Sequence, residues 1–365
     1  MKSLISNSAQ IKTTLTQYLT LVSGDYLYGE SITSLLLTIA ECTKKIAALA
    51  SKGNLDTAVG NFGATNVQGE VQINLDVVSN ETFITSLEKT GLVSGLVSEE
   101  LDDPYLIKVA GDGGEFLVVF DPLDGSSNVD VNVSVGSIFS IYKDNKDNKD
   151  DSASLNFLQS GNAQLAAGYA LYGPCTMLVI TIGSGVQGFT LDTETQEFVL
   201  SHADIRIPET TSDFSINASN ERHWEAPIQR YVDGCKAGRT GCRGQDFNMR
   251  WVASMVADVH RVLMRGGVYL YPHDNKLPAR AGRLRLLYEA NPMSFIVEQA
   301  GGKSTTGRKR VLDIKPDEIH QRVPVIMGSR LEVNLIESYH TEFDATHAEV
   351  KNSSSLDQTQ LTQSS

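Results

Sequence analysis

The stretch Asp121-Pro-Leu-Asp-Gly-Ser-Ser-Asn128 holds the residue types best suited to chemistry. Two carboxylates three positions apart can share one hard cation, or bridge two, through oxygen. The Gly-Ser-Ser corner that follows offers backbone amides and two hydroxyls, donors that can hold a phosphate. Metal oxygens beside phosphate donors are what metal-assisted phosphate hydrolysis requires. Pro122 sets one backbone dihedral, and Gly125 lets the chain bend or a ligand come close. An acidic surface turn is also written with Asp-Pro and Asp-Gly, so this corner alone does not decide.

The acid pattern repeats elsewhere. Phe116–Phe120, short and apolar, reads as the buried strand that leads into the corner. Glu99-Glu100 follow the apolar strand Leu92–Val97. Asp76 lies in a strand-like run, Val71–Asn80, and Glu289 follows Leu286-Leu287-Tyr288. Taken singly, Asp76 reads as a cap for the next helix, Glu289 as a helix N-terminal carboxylate, and Glu99-Glu100 as a surface pair. Lone acids in apolar runs are costly to bury unless paired or metal-bound. Together they point to a shared cation site.

The chain alternates helical and strand patterns in two blocks, which suggests stacked α/β layers. Residues 10–22 carry a helical apolar face, and Ser31 is placed to cap a second helix that ends before Gly53. Residues 61–69 read as a loop, and Phe83, Ile84 and Leu87 as a helix closed by Gly91. Val129–Tyr142 and Gln164–Val199 are strand-rich, separated by a charged, low-complexity insertion at 143–154 that reads as a solvated loop. A boundary falls near Ile205–Pro208. Beyond it, Asn220 is placed to cap a helix with Trp224, Ile228 and Tyr231. A loop runs from Gly234 to Arg250, then a helix carries Met255, Val256, Val259 and Leu263, and a strand spans Val268–Tyr271. Asn291-Pro292 reads as the cap and first turn of a further helix. The expected organisation is a domain at 1–205, a second at 206–335, and a polar, disordered tail at 336–365.

Composition narrows the function classes. The 365 residues can bury a large core, and 41% hydrophobic with 21% charged residues is ordinary for globular domains. A net charge of −13 argues against nucleic acid or an anionic membrane as partner. It also means that an anionic substrate needs local cations or a metal. The first residues lack a signal peptide's apolar core, and no run reaches the ~20 apolar residues of a membrane span. Cys42, Cys175, Cys235 and Cys242 form no CxxC, so neither a zinc site nor a disulfide framework is indicated. Unpaired thiols, even at Cys235 and Cys242, and a cytoplasmic location are expected.

The segment VVFDPLDGSSNVDVNVSVGSIFSIY resembles the signature of class I fructose-1,6-bisphosphatases of the bacterial type. So, in the family's order, do LDVVSNE, LVSEE, SINASN, SMVADVHRVL, GGVYLYP, GRLRLLYEANPMSFIVEQAGG and IHQRVPVIMGS, over roughly residues 10–332. The resemblance implies a layered α/β/α/β/α sugar-phosphatase fold. It implies hydrolysis of the sugar's 1-phosphate in gluconeogenesis or the Calvin cycle. Glu99, Asp121, Asp124, Glu289 and the Leu123 carbonyl would hold two or three Mg²⁺, with Mn²⁺ as the alternative ion. Asp76 and Glu100 match the pair that takes the proton from the attacking water. Asp124, Gly125, Ser126 and Ser127 would meet the 1-phosphate. Asn217, Arg250, Met255, Tyr271 and Arg283 would meet the sugar and its far phosphate. Arg250 would reach the neighbouring subunit's site, which implies a homotetramer or dimer.

Departures from the family pattern gather at the far phosphate. Arg283 stands for the usual Lys, Trp251 and Asn220 for two Tyr, and Glu70 for a common Asp. A dual fructose-1,6-/sedoheptulose-1,7-bisphosphatase is therefore the alternative, and a catalytically silent sugar-phosphate-binding regulator the reading from another class. The AMP-binding pattern of animal members is altered: Glu115-Phe116 replaces Lys-Tyr, and Leu27-Tyr28-Gly29-Glu30 replaces the phosphate loop. Weak or absent AMP inhibition follows. The insertion has no cysteine, so thioredoxin-type control is not expected.

Overall fold

The computed structural model describes residues 12–53, 61–65, 71–107, 114–145, 156–276 and 281–361; of 61–65, 71–73 and 349–361 only the backbone is described. The expectations for the first eleven residues, for Glu70, and for the insertion beyond residue 145 lie outside these residues.

Helix α1 (Leu15–Val22) opens on a capping box, in which the Thr14 hydroxyl accepts from the Gln17 amide and the Gln17 side chain accepts from the Thr14 amide. Helix α2 (Gly29–Ala50) starts before the expected cap Ser31. Its cap is Tyr28, held at φ 60°. The Tyr28 ring stands edge-on to Phe116 at 5.6 Å, and Lys143 Nζ lies 4.3 Å from its centre. A Cβ at position 29 would fall 1.8 Å from the Ser23 carbonyl oxygen, so only glycine fits there. Contacts distant in sequence set this helix start.

β1 (Asn61–Thr65) pairs antiparallel with β2 (Val71–Ile73), where the sequence suggested a loop. Helix α3 (Asn74–Glu88) begins inside the run read as strand-like. Its buried line is Leu75, Ser79, Phe83 and Leu87. The step of four is helical, but Ser79 breaks the apolar pattern and hides it. Asp76 therefore sits on the first turn of a helix.

The larger sheet has eight strands: β3 (Val93–Ser98), β4 (Tyr105–Leu106), β5 (Phe116–Asp124), β6 (Val135–Lys143), β7 (Gln164–Tyr172), β8 (Thr176–Thr181), β9 (Gln187–Asp192) and β10 (Glu197–His202). Their order is β10-β9-β8-β7-β6-β5-β3-β4, with β3 and β5 the parallel pair. β5 is buried on both faces. Phe116, Val118 and Phe120 pack with the N-terminal helices, while Leu117 and Val119 join Leu287 and Tyr288 on the other side. Burial on both sides explains its unbroken apolar run.

The smaller sheet contains β11 (Asp213–Ile216), β12 (Asn248–Met249), β13 (Val268–Tyr271), β15 (Lys303–Thr305) and β17 (Val325–Gly328), in the order β12-β11-β13-β17-β15. Beside it β14 (Leu284–Arg285) pairs with β16 (Arg322–Val323). Among the described residues, four further α-helices complete the fold: α4 (Ala226–Ala237), α5 (Met255–Arg265), α6 (Asn291–Gln299) and α7 (Arg330–Leu361). α5 and α6 lie between the sheets, where Val259 and Ile296 share a core with Tyr169 and Met327. α4 and α7 cover the outer face of the smaller sheet through Ile228, Val333 and Ile336. With α1–α3 outside the larger sheet, the layers run α/β/α/β/α, the order that the resemblance implied.

Three expectations for this half are corrected. Asn220 is not a helix cap; Asn217 caps a 3-10 turn at Ala218–His223, and α4 begins only at Ala226, with Pro227 in its first turn. Asn291 is not a cap either. A π-helical turn, Leu286–Ala290, runs straight into α6 and leaves Asn291 wholly buried. Nor does the chain lose structure at 336. α7 continues through Leu361, and Ile336 and His340 are buried on its inner face. Arg308 also ties Asp344 and Glu225 together. A polar average over the tail hid one apolar stripe.

Candidate active site

Asp121 and Asp124 both lie in β5. Asp121 pairs with Ile138 and Asp124 with Gly136, so β5 uses three steps where β6 uses two. That is a one-residue bulge. Residues three apart on a regular strand face opposite sides; the extra residue turns both acids to one side. Pro122 sits within the bulge, where no ladder N–H is needed. The Leu123 amide donates to Asp121 Oδ1 at 2.9 Å and closes the turn.

Glu289 arrives from the π turn. Asp121, Asp124 and Glu289 are buried, and each presents an oxygen within 4.8 Å of the others. Burial, with Glu99, Asp124 and Glu289 nearby, pushes the Asp121 carboxyl well above the usual carboxylate range. Burial also raises Asp124 to about 7, with Glu289 adding to it, against the Val256 amide and Ser254 hydroxyl that favour its charged form. Dry acids that repel one another are the donor set of a hard divalent cation, whose charge would remove the penalty.

Glu99 leaves the end of β3 and lies beside Asp121, with Arg285 Nη2 2.6 Å from its Oε1. Arg285 is buried, lies 3.7 Å from Glu289 as well, and gives its amide to the same carboxylate. The sequence reading did not single it out. Its only signal was an arginine amid the apolar residues of GRLRLLYEA. Glu100 is half-buried in the next turn, its amide donating to Ser98 Oγ. Asp76 is buried at the start of α3. One turn further, Asn80 accepts from Ser98 Oγ at 2.7 Å, which docks α3 on the end of β3 where Glu99 and Glu100 emerge.

After Asp124 the chain turns at Gly125, φ 76°, into a short 3-10 turn at Ser126–Asn128. A Cβ on Gly125 would lie 2.7 Å from that of Ser254. Within the turn, the Asn128 amide closes on the Gly125 carbonyl, and the amides before it precede the first such bond. Ser254 and the Val256 amide both bond Asp124, at 3.0 and 2.8 Å. This second loop is held by Asp258, buried in α5, which accepts from Ser215 and from the Val252 and Ala253 amides. Ala253 sits at φ 66°, a conformation that these bonds stabilise. Ser254 and Asp258 were also missed, because their partners are distant in sequence.

At the sugar end, Met255 is buried at the start of α5. Tyr271 stands 5.8 Å from Trp251, whose ring is parallel to Tyr269 at 6.2 Å. Burial raises the Tyr271 phenol, with Arg283 and Arg322 opposing and Asp274 and Glu289 adding. Arg283 is paired with Asp274 at 3.3 Å, and Arg322 donates to the Arg283 carbonyl. Asn217 uses its side-chain oxygen to cap the turn after β11, accepting from Ser219. Arg250 follows β12, its guanidinium exposed and its amide bound to the Phe214 carbonyl.

A five-layer α/β chain that joins a buried carboxylate cluster to an amide- and hydroxyl-rich corner is a phosphatase. Its sequence matches the profile described as "Fructose-1-6-bisphosphatase, N-terminal domain" over residues 13–203 and that of the C-terminal domain over 207–341. The chain belongs to the fructose-1,6-bisphosphatase family, and its reaction is hydrolysis of fructose 1,6-bisphosphate. Among solved structures it is similar to the Leishmania major fructose-1,6-bisphosphatase in holo form, at 39% identity and TM-score 0.84, covering 91% of this chain and 100% of that one. The apo form matches at 38% and 0.79, covering 90% and 99%, and the T-state at 38% and 0.80, covering 91% and 100%.

Proposed function

We propose that this enzyme works with two or three Mg²⁺, held by Glu99, Asp121, Asp124, Glu289 and the Leu123 carbonyl, with Mn²⁺ able to replace it. The meeting of Asp121, Asp124 and Glu289, all buried, with Asp121 and Asp124 raised in pKa, carries this reading. When bound, such ions neutralise the phosphate, lower the pKa of the attacking water and stabilise the leaving alkoxide. Asp124, the Gly125–Ser127 amides and the two serine hydroxyls hold the 1-phosphate. Asp76 and Glu100 take the water's proton. The Val252–Ser254 loop fixes Asp124 through Ser254, while the buried side chains around β5 exclude bulk water.

In this reading residues 1–205 hold the metals and the 1-phosphate, and residues 206–335 the sugar and the 6-phosphate. Asn217, Met255, Tyr271 and Arg283 line the sugar end, and Arg250 reaches a neighbouring subunit's site in a homotetramer. The exposed guanidinium of Arg250 supports that last role. No helix among the described residues is long and apolar enough to cross a membrane. In this reading the enzyme acts in the cytoplasm, in gluconeogenesis or the Calvin cycle. Phosphate release from fructose 1,6-bisphosphate, with and without Mg²⁺, is the test. Release unaffected by chelation would sink the metal reading.

A second substrate, sedoheptulose 1,7-bisphosphate, is supported by two observations at the far-phosphate end. Arg283 is engaged by Asp274, and Trp251 brings an indole where the pattern has a phenol. The far phosphate is then less tightly specified. Comparing kcat/KM for the two sugars decides it.

A further inference from the structure

Beside the turn that carries Glu289 lies a buried polar cluster with no part in the reaction above. Ser140 and Tyr142 face the same side of β6, and Gln164 of β7 stands directly opposite Tyr142. Asn291 meets them from the start of α6. Gln164 Nε2 donates to the Asn291 carbonyl at 3.1 Å and to the Gly161 carbonyl at 2.8 Å. All four side chains are more than nine-tenths buried. Yet Ser140 Oγ, Tyr142 Oη, Gln164 Oε1 and both amide atoms of Asn291 lack a hydrogen-bond partner among the described residues.

These groups are near neighbours. Ser140 and Asn291 lie close enough to the Tyr142 phenol to oppose the effect of burial on it, although neither reaches it with hydrogen-bond geometry. Position 161 has no side chain; a Cβ there would lie 2.7 Å from Asn291 Oδ1. Buried polar groups in folded proteins are paired, with protein or with ordered water. Several buried donors and acceptors without partners, converging on one spot, make a water site. A cation would suit the oxygens but not the unpaired Asn291 Nδ2, a donor.

The cluster is tied to the active site. The Asn291 amide donates to the Leu286 carbonyl and so closes the π turn. Glu289 lies within that turn, two residues before Asn291.

We propose that Ser140, Tyr142, Gln164 and Asn291 form a buried site for one or two ordered waters, and that this bridged cluster makes Asn291 a positioning residue for Glu289. The second half rests on the reading of Glu289 as a metal ligand.

A high-resolution crystal structure of the full chain should show water bonded to at least three of these four side chains. Direct bonds among them, with no water, would overturn the proposal. In the full-length protein stripped of metal, Asn291→Leu should weaken Mn²⁺ binding about tenfold, as lost outer-shell partners do, read by electron paramagnetic resonance. The KM for fructose 1,6-bisphosphate should stay within about twofold. Wild-type Mn²⁺ affinity would overturn the positioning role. Should Asn291→Leu fail to fold, Tyr142→Phe removes one bonding atom and should weaken Mn²⁺ in the same direction; unchanged affinity there counts equally against it. Asp121→Asn serves as control. Unchanged Mn²⁺ binding in that variant would bring down the metal reading, and this proposal with it.

Discussion

Asp121 and Asp124 face the same side of β5 because one bulged residue lies between them. Two acids on one side of a buried strand, with Glu289 opposite, repel each other without a cation. Binding of a divalent cation would relieve that repulsion.

Asp121→Asn keeps the shape and removes one charge. Phosphate release should fall by ~10³-fold or more, since a ligated metal supplies several kcal/mol of transition-state stabilisation. The metal-free protein should melt at a higher temperature than wild type, because one of the mutually repelling acids is gone. An unchanged rate would remove Asp121 from the ligand set.

Asp258 holds the Val252–Ser254 loop, and that loop bonds Asp124 through Ser254. Asp258→Ala leaves the Ser215 hydroxyl and two amides without their acceptor, at a cost of about 2–4 kcal/mol. It should also lower kcat more than it raises KM. Denaturant unfolding and steady-state kinetics check both, and a stability loss with wild-type kcat would deny the loop any role in catalysis.

His260 gives a pH dependence. Burial lowers it from 6.5 to about 4, with His202 adding, while its Nδ1 lies 2.8 Å from the Tyr169 hydroxyl. Its folded pKa is depressed, so the unfolded chain binds the extra proton. The histidine's contribution is complete above pH 6.5 and is lost as pH falls towards 4, by about 3 kcal/mol. The stability difference between wild type and His260→Gln should shrink over that window. A constant difference would show that His260 does not titrate there.

AMP should leave activity unchanged. Lys143 is engaged by the Glu115 carboxylate and by the Tyr28 and Phe116 rings. A cavity of about 250 Å³ at the start of α2 is lined by Leu19, Val22, Leu27 and Ile32 together with Ser23, Tyr26 and Thr33, and holds no cationic side chain. A nucleotide phosphate would have to break the Lys143 contacts and meet a like charge at Glu115. Strong inhibition by micromolar AMP would refute this.

Removing residues 336–365 should destabilise the fold by about 2–5 kcal/mol, the cost of emptying a buried apolar site such as that of Ile336. A thermal melt of the truncated chain measures it. An unchanged melting temperature would restore the disordered-tail reading.

The chemistry was largely written along the chain. Asp121, Asp124, Glu289 and the Gly-Ser-Ser corner stand at the ends of apolar runs, and burial of such runs is local information. The alternation that suggested stacked layers was equally local. Features decided between distant segments were hidden. Tyr28 starts α2 because Phe116 and Lys143 hold its ring. Ser254 bonds Asp124 across 130 positions, and Arg285 reaches back to Glu99. Sequence by itself determined which acids could make a site, because residue type and local burial limit where a charge can stand. Tertiary structure decided which acids meet and what holds them, because a bulge, a π turn and ion pairs between remote elements form only when the layers pack.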